Sequence, residues 1–342
     1  MLIIYLGKRG GGALFTRQIA NELSSTVSDV CVYLVDQNEE INNFSISVRV
    51  KILNLSSQRF GNFVKIIKFP ILLLNSVLYA SKSSTKWVLI PMMSPLDFPL
   101  SRILQILGFK VIRVIHDFSP HPGDKWPTKK SILRAAKFAD RVICLSDYVA
   151  DNFKSVGVSV ETSRFPHYQQ VHNISYLKKK GQICFVGRGN DYKDLHVIEL
   201  LASSEDFRDC RILVAGNLAD LVSPSMQSSR LILMPGWLSL SQLEEIIAES
   251  EAMVLPYKSA SQSGLVDIAA AFSTKVIATP VGGLIEQVGN TSNGFIAKSA
   301  NPSDIALAIK LALTSSVNKK NVTASPSRTV IDSVIQISQK LA

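Results

Sequence analysis

Short apolar runs without polar alternation recur along this chain, and helical patterns separate them. LIIYLG (2–7), VCVYLV (30–35), WVLIPM (87–92), VIRVIHD (111–117) and RVICLS (141–146) read as strands. So do ICFVGR (183–188), RILVAGN (211–217), LILMPG (231–236), AMVLPY (252–257) and KVIATP (275–280). Helical patterns lie between them in LFTRQIANELSS, PLSRILQILG, SILRAAKFA, DLHVIELLAS and LSQLEEIIAES. A strand with one wet face alternates apolar with polar residues; unbroken runs need cover on both faces, which parallel sheets flanked by helices supply. The series restarts after a polar, helix-poor stretch, SRFPHYQQVHNISYLKKKGQ (163–182). The expectation is two doubly wound α/β domains, 1–170 and 171–342, with the last helix packing back on the first. Such sheets bind ligands at the C-terminal ends of their strands, so two facing domains would share a cleft.

Charge divides the same way. Residues 1–170 carry 21 Lys and Arg against 12 Asp and Glu, a net +9; residues 171–342 carry 16 against 15, a net +1. Between 41 and 96 stand Arg49, Lys51, Arg59, Lys65, Lys68, Lys82 and Lys86 with no acid. Within it, RFGNFVKIIKFPILLLNSVLYASK mixes basic and apolar residues in a helix-like segment. That suits an anionic lipid surface, where each basic residue contributes about 1 kcal/mol; a core helix with a solvated basic edge gives the same pattern. Nucleic acid lacks a supporting motif. Cys31, Cys144, Cys184 and Cys210 stand singly in apolar surroundings and read as buried reduced thiols. MLIIYLGKRGGG reads as a first strand and not a signal peptide, and FPILLLNSVLYA is too short to span a bilayer. A cytoplasmic protein is expected.

Four motifs fall at strand ends. GKRGGG places Gly10, Gly11 and Gly12 before a helix; it permits close backbone approach to an anion, or makes a plain tight turn. VIRVIHDFSPHPGD brings His116 and Asp117 to a strand edge, with His121 in the loop beyond; either histidine can bond a sugar or phosphate, or be structural. ICFVGRGNDYKDL sets Arg188 and Lys193 in one exposed loop before a helix, an anion clamp for two adjacent phosphates or, less in keeping with that position, two solvated surface charges. In LPYKSASQSGLVDIAAAF the backbone of Ser263, Gly264 and Leu265 can face the same phosphates, and Asp267 follows on the first helical turn.

In order and spacing these motifs resemble the GT-B glycosyltransferases, in particular the large retaining family of bacterial lipopolysaccharide and capsule enzymes. The likeness spans nearly the whole chain: the glycine loop, the HD strand end, VGR…YK, and PYKSASQSG…VIATPVGGLIEQV. It implies that Arg188 and Lys193 hold a donor diphosphate together with Gly11, Gly12, Ser263, Gly264 and Leu265. It places His116 against the transferred sugar, and Gly236 and Trp237 of PGWLS near the nucleotide base. Gly10, His121, Ser259 and Gln262 fall on the acceptor and sugar side. The family commonly carries two glutamates seven residues apart where this chain has Ser259 and Asp267. Asp267 keeps a carboxylate for the ribose hydroxyls; Ser259 does not replace the charge, so the site is altered.

The implied reaction is front-face transfer with retention, in which the departing diphosphate accepts the acceptor's proton. It needs no paired catalytic carboxylates, and without a DxD-like motif a metal-independent site is expected. No cofactor is implied; a UDP- or GDP-linked sugar is the donor substrate. A glycan acceptor, lipid-linked, would place the enzyme on the inner face of the cell membrane in surface polysaccharide synthesis (O-antigen, capsule or exopolysaccharide). A catalytically silent GT-B subunit and a nucleotide-sugar epimerase are the alternatives. A nicotinamide-dependent oxidoreductase would need GxGxxG, which GKRGGG does not supply.

Overall fold

The structure is a computed structural model that describes residues 1–54, 70, 74, 77–78, 86–94, 96–124, 126–166, 168, 176–189, 192–219, 222, 229–315 and 328–339. Most of the 59–82 segment, including Arg59, Lys65, Lys68 and Lys82, lies outside the described residues. Two compact units result: Met1–Pro120 with Lys125–Pro166 and Ser327–Ala342, and His121–Asp124 with His167–Pro326.

The first unit is built on seven parallel strands: β1 (Leu2–Tyr5), β2 (Val30–Val35), β3 (Val48–Leu53), β4 (Trp87–Ile90), β5 (Lys110–Ile115), β6 (Arg141–Cys144) and β7 (Glu161–Thr162). Their order is β3-β2-β1-β4-β5-β6-β7. The chain starts mid-sheet and winds outward both ways, so β1 and β4 flank the point where strand order reverses. Ile3 and Tyr5 on one face meet Phe15 and Ile19 of helix α1 (Gly11–Leu23) and Val330 and Val334 of the final helix, Val330–Gln339. Leu2 and Ile4 on the other meet Leu100 and Leu104 of α2 (Asp97–Ile106). Both faces are dry, as the unbroken apolar runs require.

Two features were not legible as strands or charges. β3, VRVKIL, is an edge strand whose Arg49 and Lys51 point to water, and Arg49 pairs with Asp29 at 2.9 Å. Part of the acid-free stretch is therefore a solvated sheet edge, where basic side chains discourage further strand pairing. In β5, Arg113 is 2% exposed; Nη1 meets Asp97 Oδ1 at 2.9 Å and Nη2 donates to Ser101 Oγ at 2.8 Å. Removing either charge alone strands the other, a loss of about 3–5 kcal/mol. Cys31, Cys144 and Cys184 are buried thiols, whereas Cys210, just ahead of a strand, is only partly so.

The second unit repeats the plan with β8 (Lys179–Val186), β9 (Arg211–Ala215), β10 (Leu231–Met234), β11 (Ser250–Leu255), β12 (Lys275–Ala278) and β13 (Gly294–Ile296). The order is β10-β9-β8-β11-β12-β13, all parallel, so the reversal falls between β8 and β11. All ten strands expected from the sequence are present; β3, β7 and the three-residue β13 were not foreseen. Among the described residues no helix is long and apolar enough to cross a membrane.

Helix α7 (Gly264–Ala271) ends in a motif normally closed by glycine. Ser273 N–H donates to the Ala270 carbonyl at 3.1 Å and Thr274 N–H to the Ala269 carbonyl at 2.8 Å, the paired bonds of a Schellman stop. The motif forces the residue after the cap into left-handed backbone, and here that residue is Ser273 at φ 54°. Ser273→Gly should therefore stabilise the protein by about 1 kcal/mol. Denaturant melts of the two proteins test this; an unchanged or lower midpoint would contradict it.

Candidate functional site

The site is assembled where β8 and β11 deliver their loops side by side. Lys193 and Tyr257 form an antiparallel bridge, Asp194 N–H donates to the Pro256 carbonyl at 2.8 Å, and Lys258 N–H donates to the Tyr192 carbonyl at 2.6 Å. The two loops thus hold each other as a short ladder beyond the sheet. The Lys193 ammonium lies 5.2 Å from the Tyr257 ring centroid and 5.9 Å from that of Tyr192. Tyr192 stands edge-on to Tyr257 at 5.2 Å, and His121 stacks on Tyr192 at 4.7 Å and 24°.

Lys193 is not the exposed side chain expected from the sequence: it is 8% exposed. Burial, then repulsion from Arg188, brings its ammonium down to about 8. Arg188, in the same loop, is exposed. Among the described residues neither cation has a carboxylate within ion-pair distance. Gly187 (φ 132°) packs its Cα against the Lys193 ammonium, so any side chain there would displace the cation.

The α7 N-terminus joins this arrangement through Ser263. Ser263 caps the helix in extended backbone (φ −144°), and its side chain bonds to Tyr257, so one tyrosine touches both Lys193 and the cap. Gly264, exposed, has open space where a Cβ would stand. Gln287, in helix α8 (Leu284–Gly289), grips the cap from the other side. Ser263 N–H donates to Gln287 Oε1 at 2.9 Å, and Gln287 Nε2 donates to the Ser263 carbonyl at 3.0 Å and to Asp267 Oδ2 at 3.1 Å. Burial pushes the half-buried Asp267 carboxyl up to about 7 against the opposing pull of the Gln287 amide. Ser259 Oγ is buried with no hydrogen bond among the described residues, while Gln262 and Leu265 are half-buried. Neither Tyr257 nor Gln287 was singled out in the sequence. The tyrosine beside the lysine-facing strand end was a usable signal; a glutamine on a distant helix was not.

Gly236 (φ 98°) and Trp237, 43% exposed, follow β10 and lead into helix α6 (Leu240–Glu249), whose start carries a Ser239–Gln242 capping box.

In the first unit the glycine loop has a packing explanation as well. A Cβ on Gly12 would stand 2.5 Å from the Tyr5 hydroxyl, and one on Gly7 would also strike that ring. Gly10 (φ 80°) has its N–H taken by Glu39 Oε1 at 2.5 Å. Gly11, exposed with nothing near its missing Cβ, is the one glycine of the three open to a ligand. His116 Nε2 donates to the Pro91 carbonyl at 3.0 Å, and its ring meets Phe15 edge-on at 4.8 Å. Burial lowers its pKa, opposed by Asp117 and the Pro91 bond. Among the described residues no three His, Cys, Asp or Glu side chains gather as a metal site.

Residues 169–327 match the family model described as Glycosyl transferases group 1. Similar solved structures include sucrose-phosphate synthase from Thermosynechococcus elongatus, with TM-score 0.72, 16% identity, and 100% and 99% of the two chains covered. HepE from Anabaena, solved in complex with UDP-glucose, is similar at TM-score 0.70 and 15% identity over 100% of both chains. WaaG, a glycosyltransferase involved in lipopolysaccharide biosynthesis, is similar at TM-score 0.62 and 15% identity over 92% and 91%. None of the curated proteins matches the chain in sequence. The fold is GT-B, and the match of residues 169–327 to the group 1 glycosyltransferase model agrees with the resemblance carried by the sequence motifs.

Asp267 provides a test of the site's electrostatics. Its carboxyl, raised from 3.8 to about 7, keeps its proton in the folded protein after the unfolded chain has lost its own. Stability is therefore lost as pH rises from about 4 to 7. Asp267→Asn should match the parent near pH 4 and exceed it at pH 8 by at least about 3 °C, the shift that 1 kcal/mol makes in a domain of this size. Thermal melts at both pH values check this; equal differences at the two would contradict it.

Proposed function

We propose that this protein is a retaining glycosyltransferase that moves a sugar from a nucleotide-diphosphate sugar to a glycan acceptor. The observation that carries the reading is Lys193: a buried ammonium with Arg188 nearby and no carboxylate partner among the described residues. Through Tyr257 it is joined to the cap of α7, whose first N–H groups point away from the helix. Burying the Lys193 ammonium without a carboxylate costs free energy that an anion set against it and the exposed Arg188 would offset. A diphosphate fits, and the fold shared with HepE, solved with UDP-glucose, supports a nucleotide-sugar as its source.

In the proposed reaction the bond between the sugar's anomeric carbon and the diphosphate oxygen breaks. The acceptor oxygen bonds to the same face, and its proton passes to the leaving diphosphate. Arg188, Lys193 and the N–H groups of Gly264 and Leu265 stabilise charge growing on that leaving group, usually the largest contribution available. No metal ion or other cofactor has a part in this proposal. Asp267 is proposed to accept from the ribose hydroxyls, Gly11 to face the donor diphosphate, and His116, His121, Ser259 and Gln262 to serve the sugar and acceptor side. Gly236 and Trp237 are proposed for the base. Gly12 is proposed to face the donor and Gly10 the acceptor side, besides the packing of Gly12 against Tyr5 and the bond from Gly10 N–H to Glu39.

Arg188→Ala and Lys193→Ala should each lower turnover about 100-fold or more. The measurement is sugar transfer or donor hydrolysis with UDP- and GDP-sugars. Near-parental rates in both variants would remove the diphosphate assignment.

The acceptor is proposed to be lipid-linked, for a surface polysaccharide, with the protein resting peripherally on an anionic inner membrane face. Helix α3 (Lys129–Lys137) supports this: Lys129, Lys130, Arg134 and Lys137 are exposed, no acid lies on it, and the exposed Trp126 and Phe138 flank it. Such attraction decays over roughly 8 Å at physiological salt. The protein should bind anionic but not neutral vesicles in co-sedimentation and leave them as salt rises. Reversal of Lys65, Lys68 and Lys82 to Glu should abolish that binding while donor affinity holds. Equal binding to neutral vesicles would assign the basic face to another partner.

A further inference from the structure

The cap of α7 is held by a residue from another helix, and its chemistry is specific. A side-chain amide offers one acceptor and two donors in a plane. Gln287 spends the acceptor on Ser263 N–H and its donors on the Ser263 carbonyl and Asp267 Oδ2. Bonding both ends of one residue's backbone is what a neighbouring strand does, and it fixes the direction in which the chain enters the helix. Ser263 is 9% exposed, so these backbone groups have little recourse to water. Its side chain is engaged separately by Tyr257, whose ring faces the Lys193 ammonium. The cap is thus gripped on two sides, and the Gly264 and Leu265 N–H groups follow immediately.

We infer that Gln287 is a positioning residue, which sets the α7 N-terminus against Lys193 for the donor diphosphate without touching the donor. The inference rests on the donor reading above. Other residue types fail for stated reasons. Lysine and arginine have no acceptor for Ser263 N–H. An ionised glutamate would set its charge against the Ser263 carbonyl and Asp267. A protonated glutamate offers one acceptor and one donor, and so can replace most of the amide.

That last property gives a test that a purely structural role would not pass. Affinity for UDP and GDP is measured by calorimetry on the full-length parent, Gln287→Leu and Gln287→Glu, at pH 5 and pH 8. Gln287→Leu should weaken nucleoside diphosphate binding about tenfold or more at both pH values. The Ser263 carbonyl and Asp267 disfavour charge on a glutamate set between them, which raises its pKa above the ordinary carboxylate range; Gln287→Glu should therefore approach the parent at pH 5 and fall at least about tenfold behind it at pH 8. The ratio to the parent removes the titration of the nucleotide itself. If Gln287→Leu does not fold, Gln287→Glu carries the test alone. A folded Gln287→Leu binding within twofold of the parent, or a glutamate variant whose ratio to the parent does not change with pH, would overturn the inference. Failure of the parent to bind either nucleotide would instead overturn the donor reading, and this inference with it.

Discussion

The backbone bridge between Lys193 and Tyr257 is the contact on which the rest of the second unit's site depends. Parallel sheets leave their C-terminal loops free to diverge, and at a reversal of strand order they do so by default. Here the β8 and β11 loops are zipped by two backbone hydrogen bonds, Asp194 to Pro256 and Lys258 to Tyr192, which flank the Lys193–Tyr257 pair. The zip brings a lysine and a tyrosine ring together. That ring also reaches the cap serine of α7, which Gln287 grips from behind. Each step is short-range and local, yet it unites four chain segments at the reversal point.

The surroundings of Lys193 disfavour its charge. Burial and Arg188 both disfavour the Lys193 ammonium, and the flanking tyrosine faces offset this only in part. An anion placed against it recovers what desolvation and repulsion cost. Because the ladder, the ring and the cap are fixed beforehand, little reorganisation accompanies that recovery, which is how preorganised donors favour a developing charge. Asp267 behaves in the opposite sense: burial favours its neutral form, so the interior of α7 adds little negative charge near the cap.

The architecture was legible because its central strands are apolar on both faces. β1, β2, β8, β9, β11 and β12 sit between helices, and unbroken runs such as VCVYLV and ICFVG can have no other home. The strands that escaped notice are those that break this rule. β3 alternates charge with apolar residues because it is an edge, and β13 has only three residues. Motif reading singles out Lys193, Ser263 and Asp267 but not their environment. A lysine in a loop reads as solvated until a tyrosine 64 positions later is seen to cover it. Gly12 adds a packing reason to the one its motif suggested: the Tyr5 ring occupies the space its Cβ would need, whatever its backbone contacts. Gln287 carried no signal, since nothing in the sequence pairs it with Ser263.

The central claim is that this unit grips a diphosphate, and a ladder of three ligands tests it most directly. Calorimetric titration with uridine, UMP and UDP, and with the guanosine series in parallel, separates the base and ribose from the phosphates. A grip built on Arg188, Lys193 and the α7 cap predicts that affinity rises about a hundredfold or more from nucleoside to diphosphate in one series, as two added charge-assisted contacts imply. Nucleoside and diphosphate binding with equal affinity in both series would contradict it.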